Sequence, residues 1–176
     1  MVSPISFLKS LLKPRGDDLA PYRPLWHAIV ATSRDPRWYR EGGVADTVAG
    51  RFDAITMVLC AVLLRMESDP SLIEASARLT ELFVNDMDGQ LRESGVGDIV
   101  VGKHMGKLMG ALGGRLGAYR EGLAAEGDSQ LAEAIARNVT LREGGDATAT
   151  APLLRDLATR LAACDSASLL AGAIAA

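Results

Sequence analysis

The run Ala54-Ile-Thr-Met-Val-Leu-Cys-Ala-Val-Leu-Leu64 constrains this chain more than any other stretch. It is bounded by Asp53 and Arg65, and its eleven residues fall well short of the roughly 20 that a membrane-spanning helix needs. The run therefore reads as a core helix. No other segment alternates apolar and polar residues with period two. Apolar positions recur instead at helical spacing, in blocks separated by Gly, Pro or Asp. The fold class is all-α, a single compact multi-helix domain, since 176 residues with 48% apolar content are ample for one hydrophobic core.

Pro14 to Asp18 reads as a linker. It divides the chain into a basic amphipathic N-terminal segment with its linker, residues 1–18, and a helical domain, residues 19–176. In the first part Phe7, Leu8, Leu11 and Leu12 share one side of a short helix beside Lys9 and Lys13, a pattern that suits the surface of an anionic membrane. The basic residues and Pro14 interrupt any leader-like apolar stretch, and no small-residue cleavage site follows. The expectation is a cytoplasmic protein that is peripheral on the inner face of the inner membrane.

Punctuation sets the helices. One is expected over 21–33 with Leu25, Trp26, Ile29 and Val30 on its apolar side, and a short one over 36–41, anchored by Trp38 and Tyr39. Asp46 is the expected N-cap of a long helix through Met66. Asp69-Pro70 opens another to about Arg92, Asp98 caps one to about Gly122, and Asp128 starts one towards Asn138. Pro152 reopens a helix through Ala163, after which the Ala-rich tail is weakly specified. Cys60 and Cys164 are far apart and lack zinc or redox spacing, so both are expected as buried free thiols.

The net charge of −3 argues against nucleic-acid binding. The densest acidic group, Asp86, Asp88, Glu93 and Asp98, does not fit a calcium loop. Counted from Asp86, the loop's fifth, sixth and twelfth positions hold Gln90, Leu91 and Gly97. His27 and His104 are the only histidines, which excludes a three-histidine zinc site. No metal and no cofactor are expected. The catalytic alternative is a small hydrolase-like enzyme using His104 with a nearby carboxylate, Asp98 or Glu93, as a general base; no G-x-S-x-G nucleophile motif accompanies it. Gly95 to Gly102 lacks the preceding strand and the Gly-Lys-Ser/Thr ending of a phosphate loop, so its glycines read as a turn between helices.

Two features remain. Gly102, Gly106, Gly110, Gly114, Ala118 and Gly122 recur at every fourth position of one helix. Each interior glycine costs about 1 kcal/mol relative to alanine, so close approach of another helix of the same chain is the expected compensation, with a client groove as the functional reading. The second is Asp46-Thr-Val-Ala-Gly-Arg-Phe-Asp53, in which Arg51 and Asp53 lie on different helix faces. A buried Asp53 needs a partner, and Arg92 or Arg115 is the expected one.

These motifs, with the block from Phe83 to Lys103, Arg115-Leu-Gly-Ala-Tyr119 and Arg137-Asn138, resemble the ubiquinol-cytochrome c chaperone family. The resemblance runs over about 25–138 and begins with Trp26-His-Ala-Ile-Val30 and Trp38-Tyr39. It implies an all-helical, non-catalytic chaperone that helps assemble ubiquinol-cytochrome c reductase (respiratory complex III). Its client would be newly made cytochrome b or an assembly intermediate. A small partner protein and contact with an anionic membrane are further implied partners. The implied partner-binding residues are Arg51, Asp86, Asp88, Arg92, Asp98, Lys103 and Arg115.

Overall fold

The computed structural model describes residues 18–93 and 98–174, with the side chains of 91, 92 and 98–105 excepted. The membrane-surface candidates Phe7, Leu8, Lys9, Leu11, Leu12 and Lys13 and the turn at 95–97 therefore lie outside the described residues. Among the described residues the helices are α1 (Arg23–Ser33), α2 (Pro36–Arg40), α3 (Val48–Glu67), α4 (Ile73–Glu93), α5 (Asp98–Ala124), α6 (Ser129–Asn138), α7 (Ala147–Ala163) and α8 (Ser166–Leu170). No strand is present among them; one isolated antiparallel bridge joins Val44 and Leu141. No described helix is long and apolar enough to cross a membrane.

The apolar run forms the middle of α3, as its composition requires. Twelve of the 20 residues of α3 are buried, and they point in every direction. Such a helix is stable only when surrounded, and α1, α4, α5 and α7 all pack on it. Arginines from neighbouring helices complete two helix ends. Arg155 of α7 donates to the carbonyls of Gly122 at 3.1 Å and Leu123 at 3.0 Å in the last turn of α5. Arg65 of α3 donates to Leu161 O at 3.0 Å and Cys164 O at 2.8 Å at the end of α7. Carbonyls at a helix end lack the full set of intrahelical amides, although Leu161 O also accepts from the Cys164 amide at 3.1 Å, and a guanidinium suits both the spare lone pairs and the negative helix end.

Several helix starts differ from the sequence expectation. Thr47, not Asp46, caps α3, accepting from Gly50 N at 3.2 Å; the Asp46 carboxylate goes instead to Arg51. Asp128 precedes α6 without capping it, because Arg155 Nε takes its carboxylate at 2.7 Å. α7 begins at Ala147, five residues before Pro152, since Asp146 accepts from Thr148 N and starts it. Pro152 is the sixth residue of the helix, past its four free amides, so α7 forgoes the one bond that an amide there would make to the Thr148 carbonyl. Asp35 caps α2 and Asp69 caps the short turn that leads into α4, each accepting the amide two residues on.

The Ala-rich tail is specified by burial rather than by pattern. Asp165 caps α8, Leu169 and Ile174 are buried, and Gly172, at φ +89°, lies against Pro24 of α1. Both cysteines are free as expected, but Cys164 is only half-buried while Cys60 is fully buried. Burial pushes the Cys60 thiol up to about 12. Reaction with a thiol reagent near pH 8 should therefore modify Cys164 alone, with Cys60 reacting only in denaturant. Two reactive thiols in the native protein would contradict this placement.

Candidate functional site

The Asp46–Asp53 motif builds the most elaborate local structure in the molecule. Gly50 is required by contact: a Cβ there would lie 1.9 Å from the Ala45 carbonyl oxygen. The chain can thus fold back tightly before α3, and the segment entering it pairs with a distant loop. Ala45 N donates to Thr140 O at 2.9 Å, and Arg142 N donates to Gly43 O at 2.9 Å. Asp53 then locks this loop from one turn further on. One carboxylate oxygen accepts from the Thr140 amide at 2.8 Å and hydroxyl at 2.7 Å, and the other accepts from Arg115 Nη2 of α5 at 2.8 Å. With side-chain exposures of 9% for Asp53 and 15% for Arg115, this is a buried pair whose carboxylate lone pairs are largely satisfied.

Arg115 is thus a clamp residue lying beneath the surface. Its guanidinium also sits 5.8 Å from the centre of the Phe52 ring, a cation–π distance. Phe52 leans on Phe83 at 6.4 Å, and Phe83 meets Trp26 edge-on at 6.0 Å. Trp26 Nε1 donates to Asp86 at 3.1 Å, tying α1 to α4. A single relay of contacts therefore runs from the clamp to Asp86.

Two hollows open on either side of this relay. The larger, about 1520 Å³, lies between the start of α3, the end of α4, α2 and α5. Phe52, Ile55, Met87 and Leu108 supply apolar walls, and Val48 stands beside them 89% exposed. Arg34, Arg40, Arg51 and Arg142 line it too. Tyr39, another wall, donates its hydroxyl to Ser33 O at 2.8 Å, and burial raises its pKa. The smaller hollow, about 580 Å³, lies between α1 and α4 with Arg23, Trp26, His27 and Asp86, and Arg34 lines both.

The sequence-derived site residues scatter over this frame. Arg51 lines the larger hollow in a 2.7 Å pair with Asp46, whose carboxyl it holds below the usual range by hydrogen bonding. Asp86 lines the smaller one and Asp88 is half-buried on the same helix. Arg92, Asp98, Gly102 and Lys103 fall among the positions described by backbone alone, as does His104 of the catalytic alternative. Among the described residues no cluster of three or more His, Cys, Asp or Glu is arranged to hold a metal ion. The described part of the glycine stripe, Gly106, Gly110 and Gly114, is exposed. No described atom lies within 4 Å of a Cβ built at Gly106, Gly110 or Gly114, so no described helix of this chain packs there. Among the described glycines of the stripe, Gly122 alone is in close contact, since a Cβ added to it would lie 2.7 Å from Leu131 Cα. Sequence reasoning missed the hollow itself. Val48 carried the one visible signal, an apolar residue in a first turn with no apolar neighbour three or four positions on except Phe52.

The ubiquinol-cytochrome C chaperone profile matches residues 40–176, most of the chain. The chain belongs to that family. The match begins at the end of α2, after the motifs at Trp26–Val30 and Trp38-Tyr39, and continues through α8, past the limit of 138 that the motifs marked, so it spans both clamp partners and the tail. A solved structure, the Cbp3 homolog from Brucella abortus, is similar with a TM-score of 0.75 at 28% identity, covering 97% of this chain and 94% of that one. No curated protein sequence matches the chain. Family membership makes the all-α fold and a chaperone role for ubiquinol-cytochrome c reductase the frame in which the hollows are interpreted.

Two stability experiments test the site. Asp53→Ala should destabilise by about 3 kcal/mol because Arg115 keeps a buried charge without its partner. Removing both residues should cost less than the two single losses added together; additive losses in urea titrations would show the pair to be uncoupled. Gly110→Ala and Gly114→Ala should each stabilise by about 0.5–1 kcal/mol, whereas Gly122→Ala should destabilise through the Leu131 clash. The same sign at all three positions would contradict the open face.

Proposed function

We propose that this protein is a non-catalytic assembly chaperone that holds newly made cytochrome b, or an early intermediate containing it, in the larger hollow. The observation that supports this reading is the union of apolar walls with the exposed Val48 on a frame fixed from below by the Asp53–Arg115–Thr140 clamp. A membrane protein that has not yet found its partners exposes apolar helix surface. An apolar trough on a stiff support covers such surface by the helix-in-groove mode, in which the client's ordering is the main entropic cost. Covering apolar area is worth roughly 25 cal/mol per Å², which is reversible for a trough of this size. The work would take place beside the inner face of the inner membrane, where the client is inserted.

A photoreactive amino acid in place of Val48 should crosslink to cytochrome b or another complex III component in native membranes. Ile73, 69% exposed at the opposite end of α4, supplies the control position. Crosslinks of equal yield from both positions, or none from Val48 where those subunits are present, would remove the hollow as the client site. Val48→Glu should lower assembled complex III several-fold while leaving the helical circular dichroism unchanged.

A further inference from the structure

Among the described residues, arginines are partnered in a strongly uneven way. Arg37, Arg51, Arg78, Arg115, Arg120, Arg137, Arg155 and Arg160 each face a carboxylate. Arg65 is spent on backbone carbonyls. Four of the described arginines are left with no hydrogen bond or ion pair through their side chains: Arg23, Arg34, Arg40 and Arg142. All four are exposed, and all four line the two hollows that meet at Arg34. Of the two carboxylates lining the same hollows, Asp46 is paired with Arg51, whereas Asp86 of the smaller one accepts from the neutral Trp26 indole and keeps its charge, so the excess of cations lies in the larger hollow. A chain of net charge −3 has thus gathered its four described guanidiniums without a side-chain partner around two hollows that share Arg34.

We infer that the two hollows form one recognition face for an amphipathic helical segment whose apolar stripe is flanked by carboxylates. This rests on the reading of the larger hollow as a client trough and names the class of segment it takes. The argument is one of shape and charge together. Phe52, Ile55, Met87 and Leu108 receive the apolar stripe, and the guanidiniums on either side receive aspartates or glutamates in the bidentate geometry that arginine favours. A flat anionic bilayer would meet only the arginine rim and leave the apolar walls unfilled. A nucleic-acid backbone would do the same. The face also discriminates by repulsion, because an apolar segment bordered by Lys or Arg brings like charge to the rim.

The probes are two labelled peptides with the same Leu-rich helical face, one bordered by Glu and one by Lys, followed by fluorescence anisotropy. The Glu-bordered peptide should bind about tenfold more tightly, with the advantage shrinking as salt rises. Arg34→Gln with Arg142→Gln should remove most of that preference, and Arg34→Glu with Arg142→Glu should reverse it. All these substitutions are at exposed positions, and unchanged circular dichroism confirms folding. Equal affinities for the two peptides, or a preference indifferent to these arginines, overturns the inference. So does arginine-dependent flotation with phosphatidylglycerol vesicles when the peptides show no discrimination, which would assign the rim to lipid. Val48 crosslinking separates the two levels: client crosslinks without peptide discrimination defeat only the charge rule, whereas loss of both defeats the trough.

Discussion

The Asp53 carboxylate is the point on which three parts of the molecule converge. It brings together the central helix α3, the long helix α5 through Arg115, and the loop before α7 through Thr140. A buried carboxylate is costly unless its lone pairs are met, and here a guanidinium, an amide and a hydroxyl meet them at 2.7–2.8 Å. Because Arg115 also rests on Phe52, the same interaction sets the height of the trough wall. The wall of the larger hollow and the buried interior are therefore set by one residue pair.

This arrangement explains why the family motif is dense in a stretch of only eight residues. Gly50 permits the tight entry into α3, Thr47 caps it, Arg51 faces the trough, Phe52 walls it and Asp53 locks it from within. Each residue type answers a different physical demand. The similarity to the Cbp3 homolog from Brucella abortus at 28% identity places this architecture in a wider group without requiring identical surfaces.

Much of the fold was legible in the sequence because its signals are local. The apolar run, the Asp-Pro pairs and the Pro36-Trp38-Tyr39 turn each act within a few residues, and Arg115 was one of two arginines expected against Asp53. What was not legible depends on distance or on absence. Asp128 and Asp46 look like helix caps, yet arginines outcompete the amides for them, and Arg155 comes from 27 residues away. The glycine stripe implied a neighbour by its periodicity, but periodicity carries no information about whether the facing side is filled. The unpartnered state of Arg34 and Arg142 is likewise invisible until every other described arginine has been matched.

The docking of the segment around Gly172 onto α1 has a consequence for synthesis. Gly172 comes within contact distance of the Pro24 carbonyl and Ala28, and Leu169 and Ile174 are buried. Helix α1, with Arg23 and Arg34 at its ends, leaves the ribosome well before the residues that hold it in place. In a nascent chain α1 therefore meets α3 and α4 first, and its contact with the segment around Gly172 closes last. The last described residues of the chain thus complete the packing of its first α-helix.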